Sequence, residues 1–159
     1  MSDPVSTHLQ LDAHRTTLST PDGGEAVLMV GVDDLAVAIF KHDPPTPTEL
    51  ERAIDVVEDA LMLSRITSGN RGNLVTRSAA LRGLPGLQDE GEFLTRAEVE
   101  ALFQRMASAS LGNPGAMKDL PGTRPSCAAL LILRECMHHL DYQVARAAGG
   151  SASLAQPSS

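Results

Sequence analysis

Residues 43–65 read DPPTPTELERAIDVVEDALMLSR, and this stretch decides the architecture that the sequence predicts. Thr46 and Glu49 form a capping box around Pro47, in which each polar side chain accepts from the backbone amide of the other residue. Apolar residues then recur at helical spacing with charged residues mainly opposite them. The apolar face holds Leu50, Ile54, Val57 and Leu61; the polar side holds Glu51, Arg52, Asp55, Glu58 and Asp59. The pattern predicts an amphipathic helix that packs across a sheet or other helices.

Three apolar or β-branched segments precede this helix and predict strands at residues 14–19, 25–32 and 35–40. The first two are separated by Thr-Pro-Asp-Gly-Gly, a strong turn sequence. Asp33 and Asp34 separate the last two and indicate the bend of a hairpin. Consecutive strands with short connections predict an antiparallel meander.

Two further helices follow. Thr95 and Glu98 form a second capping box, and the helix they open ends at Gly-Asn-Pro-Gly, residues 112–115. Ser126 is predicted to cap a last helix that runs to about Tyr142. This helix is apolar around most of its circumference, so we expect it to be buried on more than one side.

These elements predict an α+β fold, with a three- or four-stranded, mainly antiparallel sheet covered on one face by about three helices. The predicted organisation is a flexible N-terminal arm over residues 1–13, a single α+β domain over 14–148 and a disordered tail over 149–159. The tail sequence, GGSASLAQPSS, is of low complexity.

The composition excludes several classes of function. The 159 residues carry a formal net charge of −7, which argues against a nucleic-acid partner because phosphate binding needs a basic surface. The sequence has neither an apolar run long enough for a membrane helix nor the pattern of a secretory signal. Cys127 and Cys136 lie too far apart on one helix for a disulfide, so we expect reduced thiols and a cytoplasmic protein.

One cluster on the last helix could carry chemistry. Glu135 and His138 have the E-x-x-H spacing that places a carboxylate and an imidazole on one helical face, and His139 follows directly. We take Glu135, His138 and His139 as candidate metal ligands, with Glu58 or Asp59 as extra ligands and a homodimer supplying the second copy of the pair. The alternative interpretation is that histidines near a helix C-terminus interact favourably with the helix dipole and bind no metal.

Residues 94–142 resemble the C-terminal part of the exopolyphosphatase / guanosine pentaphosphate phosphatase family. The resemblance is carried by LTRAEVEALFQRMASAS, then LPGTRP, then CAALLILRECMHHL. It implies a truncated, non-catalytic relative of an actin-like phosphatase half-domain. The family's catalytic carboxylates and phosphate loops lie outside the matching segment, so the resemblance assigns no site residue.

The sequence therefore leaves two functions open and does not decide whether the protein is an enzyme. One is a small cytoplasmic, non-catalytic binding or regulatory domain that acts as an oligomer. The other is a metal-dependent enzyme or metal-binding protein that uses the E-x-x-H-H cluster. One chain does not offer enough surface to bury both the apolar run at residues 25–32 and the last helix. We therefore expect a homodimer. Cofactor, ligand and other partners stay unknown.

Overall fold

A computed structural model describes residues 6–64 and 72–148. These residues form a six-stranded mixed sheet, five α-helices and one short 3-10 helix. In chain order they are β1 Ser6–Leu11, β2 Thr16–Ser19, β3 Glu25–Leu28, α1 Val32–Ala36, α2 Pro47–Ser64, β4 Asn73–Thr76, α3 Ala79–Arg82, β5 Phe93–Thr95, α4 Arg96–Ser110, the 3-10 helix Pro114–Met117, α5 Arg124–Leu140 and β6 Val144–Ala147.

The strands lie in the order β3-β2-β1-β4-β6-β5. The inner pairs β1–β4 and β4–β6 are parallel, and the three other pairs are antiparallel. The α+β class is thus confirmed, whereas the predicted three or four strands are too few and the two parallel pairs at the centre of the sheet were not predicted. The parallel partners are distant in sequence and joined by helical crossovers, which a local pattern of apolar residues does not reveal.

One face of the sheet is buried and the other is open. Leu9, Leu74 and Ala145 are at most 2% exposed and share the covered face, together with Leu18 on β2. His8, next to Leu9 on β1, points to the opposite face and is exposed. The helices therefore pack against a single face of the sheet.

The segment predicted as a third strand, residues 35–40, begins inside helix α1 instead. Asp33 and Asp34, which were predicted to form a hairpin bend, lie in the first turn of this helix. The Asp34 carboxylate accepts a hydrogen bond from the Gly31 amide at 2.9 Å. Gly31 also sits against the β1–β2 turn: a Cβ there would lie 2.5 Å from backbone atoms of Ala13 and Arg15. A helix of five residues is too short to show a helical period, which explains the wrong prediction.

Within the predicted flexible arm, residues 1–13, Ser6–Leu11 form β1, an inner strand of the sheet. The predicted strand at 25–32 is shorter and ends at Leu28. Residues 1–5 of the arm and the predicted tail, 149–159, lie outside the described residues.

Both predicted capping boxes are confirmed. In α2, the Thr46 amide donates to Glu49 at 3.0 Å and the Glu49 amide donates to the Thr46 hydroxyl at 3.1 Å. In α4, the Glu98 amide donates to the Thr95 hydroxyl in the same way. The cap of α5 is Thr123 and not the predicted Ser126, whose amide donates to Thr123 at 3.2 Å.

Helix α5 is the centre of the helical layer. It packs against α1, α2, α3 and α4, and Leu131, Ile132 and Leu133 are fully buried on successive sides of it. The expectation that the last helix is buried on more than one side is therefore confirmed. None of the described helices is long and apolar enough to cross a membrane.

Candidate metal centre

Glu135 is a buried acid on helix α5, with 1% of its surface exposed. One carboxylate oxygen, Oε2, accepts from the Arg134 guanidinium at 2.6 Å. The other, Oε1, is buried and has no hydrogen-bond partner. Burial raises the pKa of the Glu135 carboxyl, and Glu58 raises it further, while Arg134 opposes both. A buried polar atom without a partner is costly, so Oε1 marks a place where a further group would be stabilising.

Arg134 holds Glu135 in position. Its guanidinium also donates to Glu100 of α4 at 2.8 Å and lies 4.3 Å from the centre of the Phe103 ring. Neighbouring Arg134 helps to hold the pKa of the Glu100 carboxyl below its usual range, against the effect of burial. The guanidinium is therefore fixed on three sides, and the Glu135 carboxylate is fixed with it.

His139 lies one helical turn after Glu135 and brings an imidazole to the unpartnered oxygen. The distance from His139 Nε2 to Glu135 Oε1 is 3.3 Å, and the distance to Glu58 Oε2 on α2 is also 3.3 Å. The three ligand atoms all lie within 4.8 Å of one another. Glu58 and His139 are partly exposed and Glu135 is buried, so the cluster is closed on the Glu135 side and open to solvent on the other. Two carboxylates and one imidazole in this arrangement can bind a cation.

The structure brings two of the three predicted ligands together and places the third elsewhere. Glu135 and His139 come together, and Glu58, considered as an extra ligand across a dimer, joins them within one chain. His138 stands at 89° to the His139 ring and faces a surface depression with Arg96 and Glu100. Asp59 lines a separate groove beside β3. Whether a metal binds stays a prediction.

The sequence left open whether Glu58 or Asp59 would be the extra ligand. Glu58 is 81 positions from His139 in the chain. Its place on the polar side of α2 carries no local signal of a ligand, because only the packing of α2 against α5 brings the two together.

The two cysteines are buried and free. Burial raises the pKa of the Cys127 thiol to about 11 and that of the Cys136 thiol to about 12. Both are protonated at neutral pH, which is typical of inert core residues and not of nucleophiles or thiolate ligands.

No protein-family profile and no curated protein matches the sequence. Solved structures do. The Ppx/GppA family member from Aquifex aeolicus superposes with a TM-score of 0.69 at 16% identity, over 92% of this chain and 53% of that one. The type II variant of the Aquifex aeolicus Ppx/GppA phosphatase gives 0.71 at 15% identity, over 92% and 54%. An exopolyphosphatase-like protein gives 0.64 at 13% identity, over 93% and 55%.

The resemblance predicted from residues 94–142 is thus confirmed in the fold and extends over nearly the whole chain. This chain spans slightly more than half the length of those proteins. At such low identities the likeness establishes the fold alone. We conclude that the chain has the fold of about half of a Ppx/GppA phosphatase.

Proposed function

We propose that this chain is a small, non-catalytic binding or regulatory domain of the cytoplasm that acts as a homodimer. The observation that carries the proposal is an apolar groove of about 260 Å³ between strand β3 and helix α2. Met29 and Leu63 line it and are 77% and 83% exposed, and Met62, beside Leu63, is 77% exposed. Large apolar side chains clustered at a surface are typical of protein–protein contacts.

A second copy of the chain is the partner that fits this surface. Strand β3 is the outermost strand of the described sheet on this side, so its outer hydrogen-bonding groups are available to another strand. A two-fold axis between Ala26 and Val27 would pair β3 antiparallel with itself and place Glu25 opposite Leu28. The two Glu25 carboxylates then do not face each other, and the two grooves lie beside the paired β3 strands.

The absence of catalysis is part of the proposal and has separate support. The two thiols of the chain are protonated at neutral pH. We expect the purified chain to release no phosphate from polyphosphate or guanosine pentaphosphate. Phosphate release that rises in proportion to the concentration of the protein would overturn this part.

Light scattering on the full chain tests the homodimer. We expect a mass of twice the 16.8 kDa of one chain, shifting to the monomer in Leu63→Lys. Leu111→Lys is the matched control, because Leu111 is 72% exposed and does not line the groove. A wild-type monomer at high micromolar concentration, or equal effects of the two variants, would contradict the proposal.

The alternative function, a metal-dependent enzyme or a metal-binding protein, has specific support in the convergence of Glu58, Glu135 and His139. That support concerns binding of the ion and does not extend to a reaction.

A further inference from the structure

Two of the three separations between the ligand atoms on α2 and α5 match those of a tetrahedral metal site. A tetrahedral ion with ligand bonds of about 2.0–2.1 Å separates neighbouring ligand atoms by about 3.3 Å. His139 Nε2 lies 3.3 Å from Glu135 Oε1 and 3.3 Å from Glu58 Oε2. The remaining pair of ligand atoms, on the Glu58 and Glu135 carboxylates, lies within 4.8 Å, and the Glu58 side chain is partly exposed.

The buried oxygen provides an observation independent of that spacing. Glu135 Oε1 has no hydrogen-bond partner, although its residue is 99% buried. It points into the cluster, where it is in contact with the His139 imidazole. A cation between the three groups would supply the partner that this oxygen lacks and offset the repulsion between the two carboxylates.

The surrounding residues already orient the buried ligand. Arg134 takes only Oε2 of Glu135, which leaves Oε1 directed at the cluster, and Arg134 is itself held by Glu100. Such outer partners fix the geometry of metal ligands in proteins.

We propose that Glu58, Glu135 and His139 form a binding site for a divalent transition-metal ion of the Zn²⁺ type. An imidazole ligand favours these ions over Mg²⁺ and Ca²⁺, which prefer sites made of oxygen atoms only. Three protein ligands leave one tetrahedral position to water or a small anion. The ion joins α2 to α5 within one chain, so the site does not depend on the homodimer.

Titration calorimetry with Zn²⁺ on the tag-free, chelator-treated full chain tests the site. We expect one ion per chain, and a dissociation constant at least about tenfold larger in His139→Ala and in Glu58→Gln, since each removes a direct ligand. Mg²⁺ is expected to give no binding at the same concentrations. Co²⁺ in place of Zn²⁺ is expected to give the visible absorption of a tetrahedral site in the wild type and to lose it in His139→Ala.

His138→Ala is the matched control, because His138 is adjacent to His139 but faces the depression beside Arg96 and Glu100. We expect it to bind Zn²⁺ within about twofold of the wild type. Equal losses of Zn²⁺ affinity in His138→Ala and His139→Ala would show that the ion binds to an exposed pair of histidines, which would overturn the proposal. Failure of the wild type to bind Zn²⁺ would also overturn it, and would leave a proton shared between Glu58 and Glu135 as the explanation of the cluster.

Discussion

Substitution of Gly31 by alanine tests the contact that joins the β1–β2 turn to helix α1. The added Cβ would lie 2.5 Å from backbone atoms of Ala13 and Arg15, and closer still to the Asp12 carbonyl oxygen. Gly31 has an extended backbone with φ −132°, which any residue adopts, so backbone strain adds nothing to the cost. Because the colliding atoms belong to the backbone, no side-chain rotation relieves it.

The magnitude follows from two contributions. Overpacking of a well-packed site costs about 1–3 kcal/mol. Moving α1 away from the turn also breaks two backbone hydrogen bonds of 2.9 Å, from the Val32 amide to Asp12 and from the Asp33 amide to Ala13. At about 1 kcal/mol each, they bring the expected loss in the free energy of unfolding to about 3–5 kcal/mol.

Urea unfolding of the full chain, followed by circular dichroism, measures this loss. Gly122→Ala is the control: a Cβ at Gly122 would meet nothing within 4 Å, so we expect a change within about 0.5 kcal/mol. A Gly31→Ala protein that unfolds within the same 0.5 kcal/mol of the wild type would refute the predicted collision.

Other residues give further predictions. Tyr142→Phe removes the buried hydrogen bond from the Tyr142 hydroxyl to Thr7, 3.2 Å long, and is expected to lower the free energy of unfolding by about 1–2 kcal/mol in the same urea experiment. Thr95→Ala removes the cap of α4 and is expected to cost about 1 kcal/mol, measured by thermal unfolding. Arg134→Ala leaves Glu135 buried without its ion pair and is expected to cost about 3 kcal/mol at neutral pH, with a smaller loss in a Glu135→Gln background. Without metal, the raised pKa of Glu135 means that the folded protein binds a proton more readily than the unfolded chain, so we expect stability to fall as the pH rises above about 4.5, and Glu135→Gln to abolish that part of the pH dependence.

The parts of the fold that the sequence predicts correctly depend on neighbours in the chain. The two capping boxes, at Thr46 and Thr95, each involve a partner three residues away, so the sequence shows both members together. The apolar circumference of α5 is likewise visible within one helix. Each of these features can be read without knowing the tertiary arrangement.

The parts that were missed depend on long-range packing. Leu9 of β1 pairs with Thr76 of β4, and Glu58 meets His139 across 81 residues, and no local period signals either contact. The E-x-x-H spacing drew attention to Glu135, but helix geometry alone did not decide which histidine would lie beside it. His139 does so because α2 packs on that side of α5.

The central position of β4 has a consequence for the order in which the protein folds. β4 pairs in parallel with β1 at the start of the described chain and with β6 at its end. The sheet therefore cannot close until Val144–Ala147 have left the ribosome, and until then one side of β4 is an unpaired edge. Such non-local pairing slows folding and lengthens the time for which strand edges are exposed. We expect the nascent chain to reach its final structure only after β6 has emerged from the ribosome, and to be the form of this protein most in need of a chaperone.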